Sequence, residues 1–175
     1  MSEFPGLAND KVLLRRFARE DITAAYLGWL NDERVTRFSN QRFRSHDEAS
    51  AADYLASFEG SPNLFLSIRG AASDAAIGTM TAYRNPHHGL ADMGIMIGDP
   101  AHWGGGYGLA AWSLLGAWLL ANGTRKLTGG TLAGNTGMVR IFERSGMHLE
   151  ATRKAHEIVE GRPMDILLYA RFADR

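Results

Sequence analysis

The 175-residue sequence contains no cysteine, so disulfide bonds and thiolate metal sites are excluded. A chain without cysteine fits a reducing compartment, and we expect a cytoplasmic protein. Net charge is absent as well, because 19 lysines and arginines balance 19 acidic residues. The overall charge therefore favours neither a nucleic acid nor a membrane surface as partner. Binding specificity must come from local sites.

Long apolar runs and targeting signals are also missing. The apolar run Leu109–Ala121 has 13 residues, too few to cross a bilayer, so we expect a buried helix there. The residues Met1–Gly6 lack a basic start followed by an apolar stretch, so we expect no signal peptide. A hydrophobic content of 45% suits one globular domain over residues 1–175.

The chain is organised around residues 91–121. Met93–Ile97 is a short β-favouring run, which Gly98-Asp99-Pro100 ends. Glycines follow at 104, 105, 106 and 108, and a helix rich in Leu, Ala and Trp begins directly after them. A helix N-terminus presents unpaired N–H groups and the positive end of the helix dipole. This pattern predicts an anion site, most simply for phosphate, and a plain flexible turn is the alternative.

Two nucleotide-binding motifs do not fit this loop. A P-loop needs Lys followed by Ser or Thr after its glycines, whereas Tyr107-Gly108-Leu109 follows here. The dinucleotide fingerprint needs an acidic residue about 20 positions further on, and that region is apolar or reads Asn-Gly-Thr-Arg.

The flanking segments alternate between strand and helix patterns. Strands are predicted at 12–17, 63–69, 75–83, 126–132, 148–155 and 165–172, besides the central strand Met93–Ile97. Helices are predicted at 22–30, from Ser45 with a capping box to Glu48, and from Asn135. His87 and His88 lie in a turn, where a solvated turn is favoured over a metal site. This order predicts a mixed sheet with helices on both faces.

Two motifs resemble those of the GNAT N-acetyltransferase superfamily. The loop Trp103-Gly104-Gly105-Gly106-Tyr107-Gly108 resembles its acyl-CoA loop, Gln/Arg-x-x-Gly-x-Gly/Ala, although Trp103 departs from the first position. The Trp-Gly-x-Gly-Tyr opening looks like the branch of ribosomal-protein N-terminal (alanine) acetyltransferases and amino-sugar acetyltransferases. The stretch from Asn135 to Met147 is similar to the family stretch Asn-x-x-Ser/Ala/Met-x-x-x-Tyr/Leu-Glu-Lys-x-Gly-Phe, with its spacing preserved. The resemblance covers nearly the whole chain.

The resemblance implies the GNAT acyl-CoA N-acyltransferase fold, an α/β (α+β) architecture. Such a fold is a mixed, mostly antiparallel twisted sheet of about 6–7 strands with about four helices on both faces. Two parallel strands, here Met93–Ile97 and Lys126–Leu132, would splay apart and hold acetyl-CoA between them. The resemblance thus implies acetyl-CoA as co-substrate and no metal.

Family positions also imply which residues hold acetyl-CoA. Main-chain groups of the central strand would bind the pantetheine arm, the loop amides would bind the pyrophosphate, and Asn135 and Phe142 would contact the pantetheine. The implied set is Met96, Ile97, Gly98, Trp103, Gly104, Gly105, Gly106, Tyr107, Gly108, Leu109, Asn135 and Phe142.

The resemblance implies direct transfer of the acetyl group to an amine, which must first lose a proton. Asp92 resembles the acid of the family motif Glu-Leu-Gly or Glu-Ile-Gly and is the candidate base, directly or through water; a surface aspartate is the alternative. The Met96 amide is the candidate to stabilise the oxyanion. Many members have a tyrosine as general acid where this chain has Phe142, which has no proton to give and can equally be plain core.

The acceptor site is implied by a second likeness. The segment from Trp29 to Arg37 resembles the Trp-x-Asn-Asp-x-x-Val segment of family members that acetylate amino sugars, including nucleotide-linked ones. Guanidinium groups bind phosphate in a bidentate fork, so arginines here could meet a phosphorylated or acidic acceptor; a solvated loop is the alternative. The candidate acceptor-binding residues are Trp29, Arg34, Arg37, Arg42 and His88.

We therefore predict an acetyl-CoA-dependent N-acetyltransferase. Its acceptor is predicted to be a small primary amine such as an amino sugar or nucleotide amino sugar, ahead of a protein N-terminus. The alternative of another class is a CoA-binding sensor without turnover. Partners are then acetyl-CoA and an amine, with neither nucleic acid nor membrane. Many family members are dimers, so a homodimer is the assembly that the resemblance suggests.

Overall fold

Short β-favouring runs separated by turn residues pair into one mixed sheet in the computed structural model, which describes residues 4–173. Eight strands occur in this range, in the order β1-β2-β3-β4-β5-β6-β8-β7. Their bounds are β1 Leu7–Ala8, β2 Val12–Arg16, β3 Leu64–Gly70, β4 Ala76–Asn85, β5 Leu90–Ile97, β6 Lys126–Leu132, β7 His148–Val159 and β8 Arg162–Phe172.

The predicted fold class is confirmed, with two corrections to the strands. The sheet has eight strands rather than six or seven, because Leu7–Ala8 pairs with β2 and two residues are too few to show a strand pattern. The last hairpin is longer than predicted, since β7 extends to Val159. A two-residue turn, Glu160-Gly161, closes it, and both residues have positive φ, 51° and 76°.

Helices cover both faces of the sheet. The five α-helices within residues 4–173 are α1 Ala24–Leu30, α2 Glu33–Thr36, α3 Glu48–Ala56, α4 Tyr107–Ala121 and α5 Thr136–Arg144. Short 3₁₀ turns lie at Arg19–Asp21, Asn40–Phe43 and Pro100–His102. Helices α1 and α3 pack through Tyr26 and Ala51 on one face, whereas α4 and α5 pack through Trp112 and Phe142 on the other.

The start of α3 differs from the prediction. Asp47, not Ser45, is the N-cap, and its carboxylate accepts a hydrogen bond from Ser50 N at 2.8 Å, while Ser50 Oγ accepts one from Asp47 N. The reason lies in Asn31. Its side-chain amide bonds both backbone groups of His46, at 2.8 and 2.9 Å, and so holds the chain outside the helix until Asp47.

The sheet contains one parallel pair, β5 with β6, as predicted. Register pairing between them covers Leu90 with Lys126, Ala91 with Leu127 and Asp92 with Thr128, and it ends there. Beyond Asp92, β5 continues alongside β4, and β6 continues alongside β8. The two strands therefore separate and leave a gap in the middle of the sheet.

Within residues 4–173, none of the helices combines the length and apolar character needed to cross a bilayer. The same range contains no cluster of three or more His, Asp or Glu side chains arranged to hold a metal ion.

Candidate functional site

A cavity of about 810 Å³ opens where β5 and β6 separate. Its floor is the sheet, represented by Met96 on β5. The glycine loop and the start of α4 form one wall, and α5 forms another through Arg144. At the opposite end, Tyr26 of α1 and Tyr54 of α3 enclose an aromatic chamber. The cavity thus runs continuously from one face of the sheet to the other.

The glycine loop adopts a conformation that suits an anion. Gly104 and Gly106 have φ of 73° and 81°, in the left-handed region that residues with a Cβ rarely adopt. Gly106 is the N-cap of the 15-residue helix α4 and has no side chain to cap the first amides. Gly106, Tyr107, Gly108 and Leu109 line the cavity. The first turn of α4 therefore meets the cavity with the positive end of the helix dipole.

Three basic residues that the sequence analysis missed lie at this loop or in the cavity wall. Lys11 Nζ donates a hydrogen bond to Gly105 O at 3.0 Å. Arg140 and Arg144 line the cavity from α5. The spacing of the two arginines is a signal that could have found them, because residues four apart lie on the same side of a helix.

The end of β5 is held by two tryptophans. Trp103 Nε1 donates a hydrogen bond to Ile97 O at 2.7 Å, and the Trp103 ring lines the cavity. Trp29 packs against Gly98, where any Cβ would clash with the indole. The structure therefore places Trp29 as a support for the strand end, packed with Met96 in the cluster beneath α1 and α3.

Asn135 and Phe142 have different surroundings. Asn135 lines the cavity and caps α5, since its Oδ1 accepts a hydrogen bond from Met138 N at 3.2 Å. Phe142 has no exposed surface and packs between Trp112 and Tyr169, with ring centroids 5.3 and 4.8 Å away. The structure thus brings Asn135 to the cavity and places Phe142 in the core behind it.

Asp92 lies at the point where the parallel strands part. It is exposed, and Thr128 Oγ1 donates a hydrogen bond to its Oδ1 at 2.6 Å. Alternation along β5 puts Asp92 on the same face as Gly94, which lines the cavity two residues further on. Asp92 itself is beside the cavity wall rather than part of it.

Three arginines between α1 and α3, at positions 34, 37 and 42, belong to a segment that covers the cavity, residues 33–43, called here the covering segment. Arg37 Nε bonds Glu160 Oε1 at 2.9 Å. Arg42 donates to Ser39 O and Ile158 O at 2.8 and 3.2 Å and lies 3.6 Å from a Glu157 oxygen. These arginines therefore brace the covering segment against the β7–β8 hairpin.

The other two predicted acceptor residues, Arg34 and His88, differ in whether they reach the cavity. Arg34 lines the cavity, but its guanidinium forms a bidentate pair with Asp32, donating from Nη2 to Oδ2 at 2.6 Å and from Nε to Oδ1 at 3.1 Å, and this pairing lowers the pKa of Asp32. His88 is exposed in the β4–β5 turn, where its backbone N–H bonds the Asn85 side chain. The structure does not bring His88 to the cavity.

Tyr54 is a cavity residue that the sequence analysis missed. Its hydroxyl lies 2.8 Å from the Tyr83 hydroxyl, and burial, followed by this hydrogen bond, raises the pKa of Tyr54. Tyr83 lies directly opposite Asp92 in the register of β4 and β5. The two hydroxyls thus lead from the chamber wall toward the Asp92 end of the gap.

Comparison with known proteins decides the family. Residues 11–148 match the family model described as acetyltransferase (GNAT) domain. The chain belongs to the GNAT acetyltransferase family. The resemblance drawn from the glycine loop and the Asn135 motif is confirmed, and the protein is an acyltransferase enzyme. No match to a functionally curated protein is found.

Solved structures agree with this GNAT assignment at the level of the fold. A GNAT-family acetyltransferase from Bacillus anthracis superposes with a TM-score of 0.82 at 16% identity, over 97% of this chain and 99% of that one. Spermidine N-acetyltransferase from Vibrio cholerae, in complex with CoA and spermine, superposes with a TM-score of 0.82 at 16% identity, over 94% of this chain and 97% of that one. Ribosomal-protein-S5-alanine acetyltransferase from Vibrio fischeri superposes with a TM-score of 0.81 at 16% identity, over 97% of each chain.

Proposed function

We propose that this GNAT enzyme transfers the acetyl group of acetyl-CoA directly to a primary amine of a small molecule. The observation that carries the proposal is the continuous cavity, which joins an anion-binding helix terminus to an aromatic chamber through the gap between β5 and β6. One end suits a phosphate-bearing cofactor, and the other end suits a small organic acceptor.

The residues present fit acetyl-CoA. The amides at the start of α4 and the charges of Lys11, Arg140 and Arg144 would bind its phosphates. Asn135 would contact the pantetheine arm through Nδ2, because Oδ1 is engaged in the cap of α5. The free edge of β5 within the gap would pair with the pantetheine amides, as an added strand does. When bound, acetyl-CoA supplies an activated thioester.

Asp92 would remove the proton that the acceptor amine must lose, through a water molecule beside Gly94. The amine nitrogen then attacks the thioester carbonyl, and a strand amide such as that of Met96 would stabilise the oxyanion. Collapse breaks the carbon–sulfur bond and forms the amide as the nitrogen loses its extra proton. The departing thiolate takes up that proton through water, since Phe142 has none to give. No enzyme-bound acetyl group is needed, and the chain has no cysteine to carry one.

A small acceptor is favoured over a protein terminus by the covering segment. This segment is pinned to the β7–β8 hairpin through Arg37 and Arg42, and Phe38 approaches Gly134, where a Cβ would lie 3.2 Å from its ring. The covering segment thus closes the chamber on that side. We place an amino sugar first, and a free one ahead of a nucleotide-linked one, because Arg37 and Arg42 already have partners.

Acetylation of a protein N-terminus is the second candidate. It is favoured by the fold shared with ribosomal-protein-S5-alanine acetyltransferase, at a TM-score of 0.81. A peptide would have to enter below the covering segment.

The experiment is acetyl-CoA consumption, measured as thiol release, with amino sugars, nucleotide amino sugars, amino acids, polyamines and N-terminal peptides as acceptors. Calorimetric titration with acetyl-CoA runs alongside. We expect binding, and turnover that is highest with an amino sugar. Turnover with peptides alone would select the second candidate. Binding without turnover on any amine would contradict the proposal and favour a CoA-binding sensor.

A further inference from the structure

The backbone amides of the glycine loop donate to no other part of the protein. Within residues 4–173, none of the N–H groups of residues 104–109 forms a hydrogen bond, and the first amide after them that does is Ala110, which bonds Gly106 O at 3.0 Å. All of these residues except Gly105 line the cavity. The direction of each N–H therefore decides whether the loop can bind an anion.

Gly105 is the residue whose peptide group has a partner. Its carbonyl oxygen accepts a hydrogen bond from Lys11 Nζ at 3.0 Å, and neither residue is among those that line the cavity. No cis peptide bond occurs in the described residues, so the Gly105 carbonyl and the Gly106 N–H point in opposite directions. A carbonyl turned to Lys11 therefore goes with a Gly106 N–H directed away from Lys11, on the side where Gly106 lines the cavity.

Lys11 is itself held against the start of α4. Its backbone N–H donates to Asn9 Oδ1 at 3.0 Å, and Asn9 Nδ2 donates to Ala110 O at 3.3 Å. The Lys11 ammonium also lies 5.2 Å from the centroid of the Tyr107 ring, a cation–π distance. The turn between β1 and β2 thus contacts the start of α4 through two side chains, and that of Lys11 acts on the glycine loop.

The loop itself does little to fix the direction of its peptide groups. Gly104, Gly105 and Gly106 have no Cβ, so their peptide groups can rotate at little steric cost. In the part of the chain that the structure describes, Lys11 supplies the one side-chain hydrogen bond to the peptide groups of these three residues. A carbonyl that rotated inward would present partial negative charge to an anion, and the bond to Lys11 opposes this rotation.

We infer that Lys11 is a positioning residue for the cofactor, whose bond to Gly105 O holds the Gly106 N–H toward the phosphates of acetyl-CoA. The inference rests on the proposed function, because it concerns the same cofactor site, and it gives Lys11 a role beyond its charge. A charge that acts through solvent is screened by salt, whereas the orientation of a peptide group is not. The two roles of Lys11 can therefore be separated.

The variant Lys11→Met keeps an unbranched side chain beside Tyr107 and removes the donor. We expect it to raise the calorimetric Kd for acetyl-CoA about fivefold or more, both at about 50 mM and at about 500 mM salt. With acetyl-pantetheine, which lacks the nucleotide phosphates, KM measured by thiol release should match that of the parent. An unchanged Kd for acetyl-CoA, or a loss that disappears at the higher salt concentration, would overturn the inference.

The variant Asn9→Ala keeps the charge of Lys11 and removes the contacts that hold it. We expect Kd for acetyl-CoA to rise about twofold or more, because the ammonium is no longer held at Gly105 O. A variant that binds like the parent would contradict the inference, since charge alone would then be sufficient. The matched control is Lys154→Met, the same substitution in a lysine that is 81% exposed and bonds Asp165, and its Kd should equal that of the parent.

The parent protein separates the failure of this inference from that of the proposed function. Equal binding of acetyl-CoA by the parent and Lys11→Met, with thiol release intact, contradicts the inference alone. A weaker Lys11→Met complex, without thiol release on any amine even by the parent, supports the inference and contradicts the proposed function. Absence of acetyl-CoA binding by the parent contradicts both.

Discussion

Thr128 Oγ1 donates a hydrogen bond of 2.6 Å to Asp92 Oδ1, and these two residues form the last register pair before β5 and β6 separate. The carboxylate is thus fixed at the apex of the gap in which transfer would take place. A base in this position is anchored by the sheet itself rather than by a mobile loop.

If Asp92 is the base, Asp92→Asn should lower kcat by about 10²- to 10⁴-fold, the usual contribution of a general base. The KM for acetyl-CoA should stay within about twofold, because the phosphate and pantetheine contacts are elsewhere. Thr128→Val is the matched control, since it keeps the carboxylate and removes its anchor, and its loss of kcat should be smaller. Steady-state thiol release measures all three. If the Asp92→Asn enzyme is as active as the parent, Asp92 is a surface aspartate and not the base.

Gly106 and Gly161 both have left-handed backbone, with φ of 81° and 76°, but only Gly106 lies at the cavity. Alanine at either position should lower the free energy of unfolding by about 1–2 kcal/mol. Gly106→Ala should in addition raise KM for acetyl-CoA about tenfold, because the Cβ and the shifted amides disturb the anion site. Urea unfolding and steady-state kinetics give both quantities. Equal KM values in the two variants would exclude the loop from phosphate binding.

Arg140 and Arg144 are expected to bind the phosphates of acetyl-CoA. Replacing both with alanine should raise KM for acetyl-CoA about tenfold at low salt, and the effect should shrink at high salt. With acetyl-pantetheine, which lacks the nucleotide phosphates, parent and variant should be alike. The control is Arg153→Ala, an exposed arginine on β7. A matching loss with acetyl-pantetheine would indicate a structural role for the α5 arginines.

Arg42 and Arg37 are expected to stabilise the covering segment to different extents. The Arg42 side chain is 14% exposed and bonds two carbonyls, whereas that of Arg37 is 54% exposed. Arg42→Ala should therefore lower the free energy of unfolding by about 2 kcal/mol, and Arg37→Ala by less than about 1. KM for acetyl-CoA should not change. If unfolding is unaffected while KM rises for a phosphorylated acceptor in both, the arginines bind substrate instead.

Ionisation of Tyr26 is expected to lower the stability of the protein at alkaline pH. Burial raises its pKa to about 12, against about 10 in an unfolded chain. The folded state holds this proton more tightly, so its contribution is complete below pH 10 and is lost as the pH rises toward 12. Tyr26→Phe should therefore lose less unfolding free energy than the parent between pH 9 and pH 11.5. Parallel losses in urea unfolding at the two pH values would contradict this.

Most elements could be predicted because their signals are local. The run Met93–Ile97 and the helix after Gly108 follow from propensity and period alone. The strand Leu7–Ala8 could not be found, since it is held only by pairing with β2. The N-cap of α3 is Asp47 rather than Ser45 for a similar reason, because Asn31, the residue that follows α1, fixes His46.

The sequence by itself determined the family, the fold and the glycine loop, because backbone conformation and helix polarity depend on neighbouring residues. Tertiary structure alone decided which side chains face the cavity. Arg37 meets Glu160 across 123 positions, and Lys11 meets Gly105 across 94. A charged or aromatic side chain acts through whatever partner the fold brings within a few ångströms. For that reason Arg37 and Arg42, which the sequence suggested for substrate, instead meet partners on the β7–β8 hairpin.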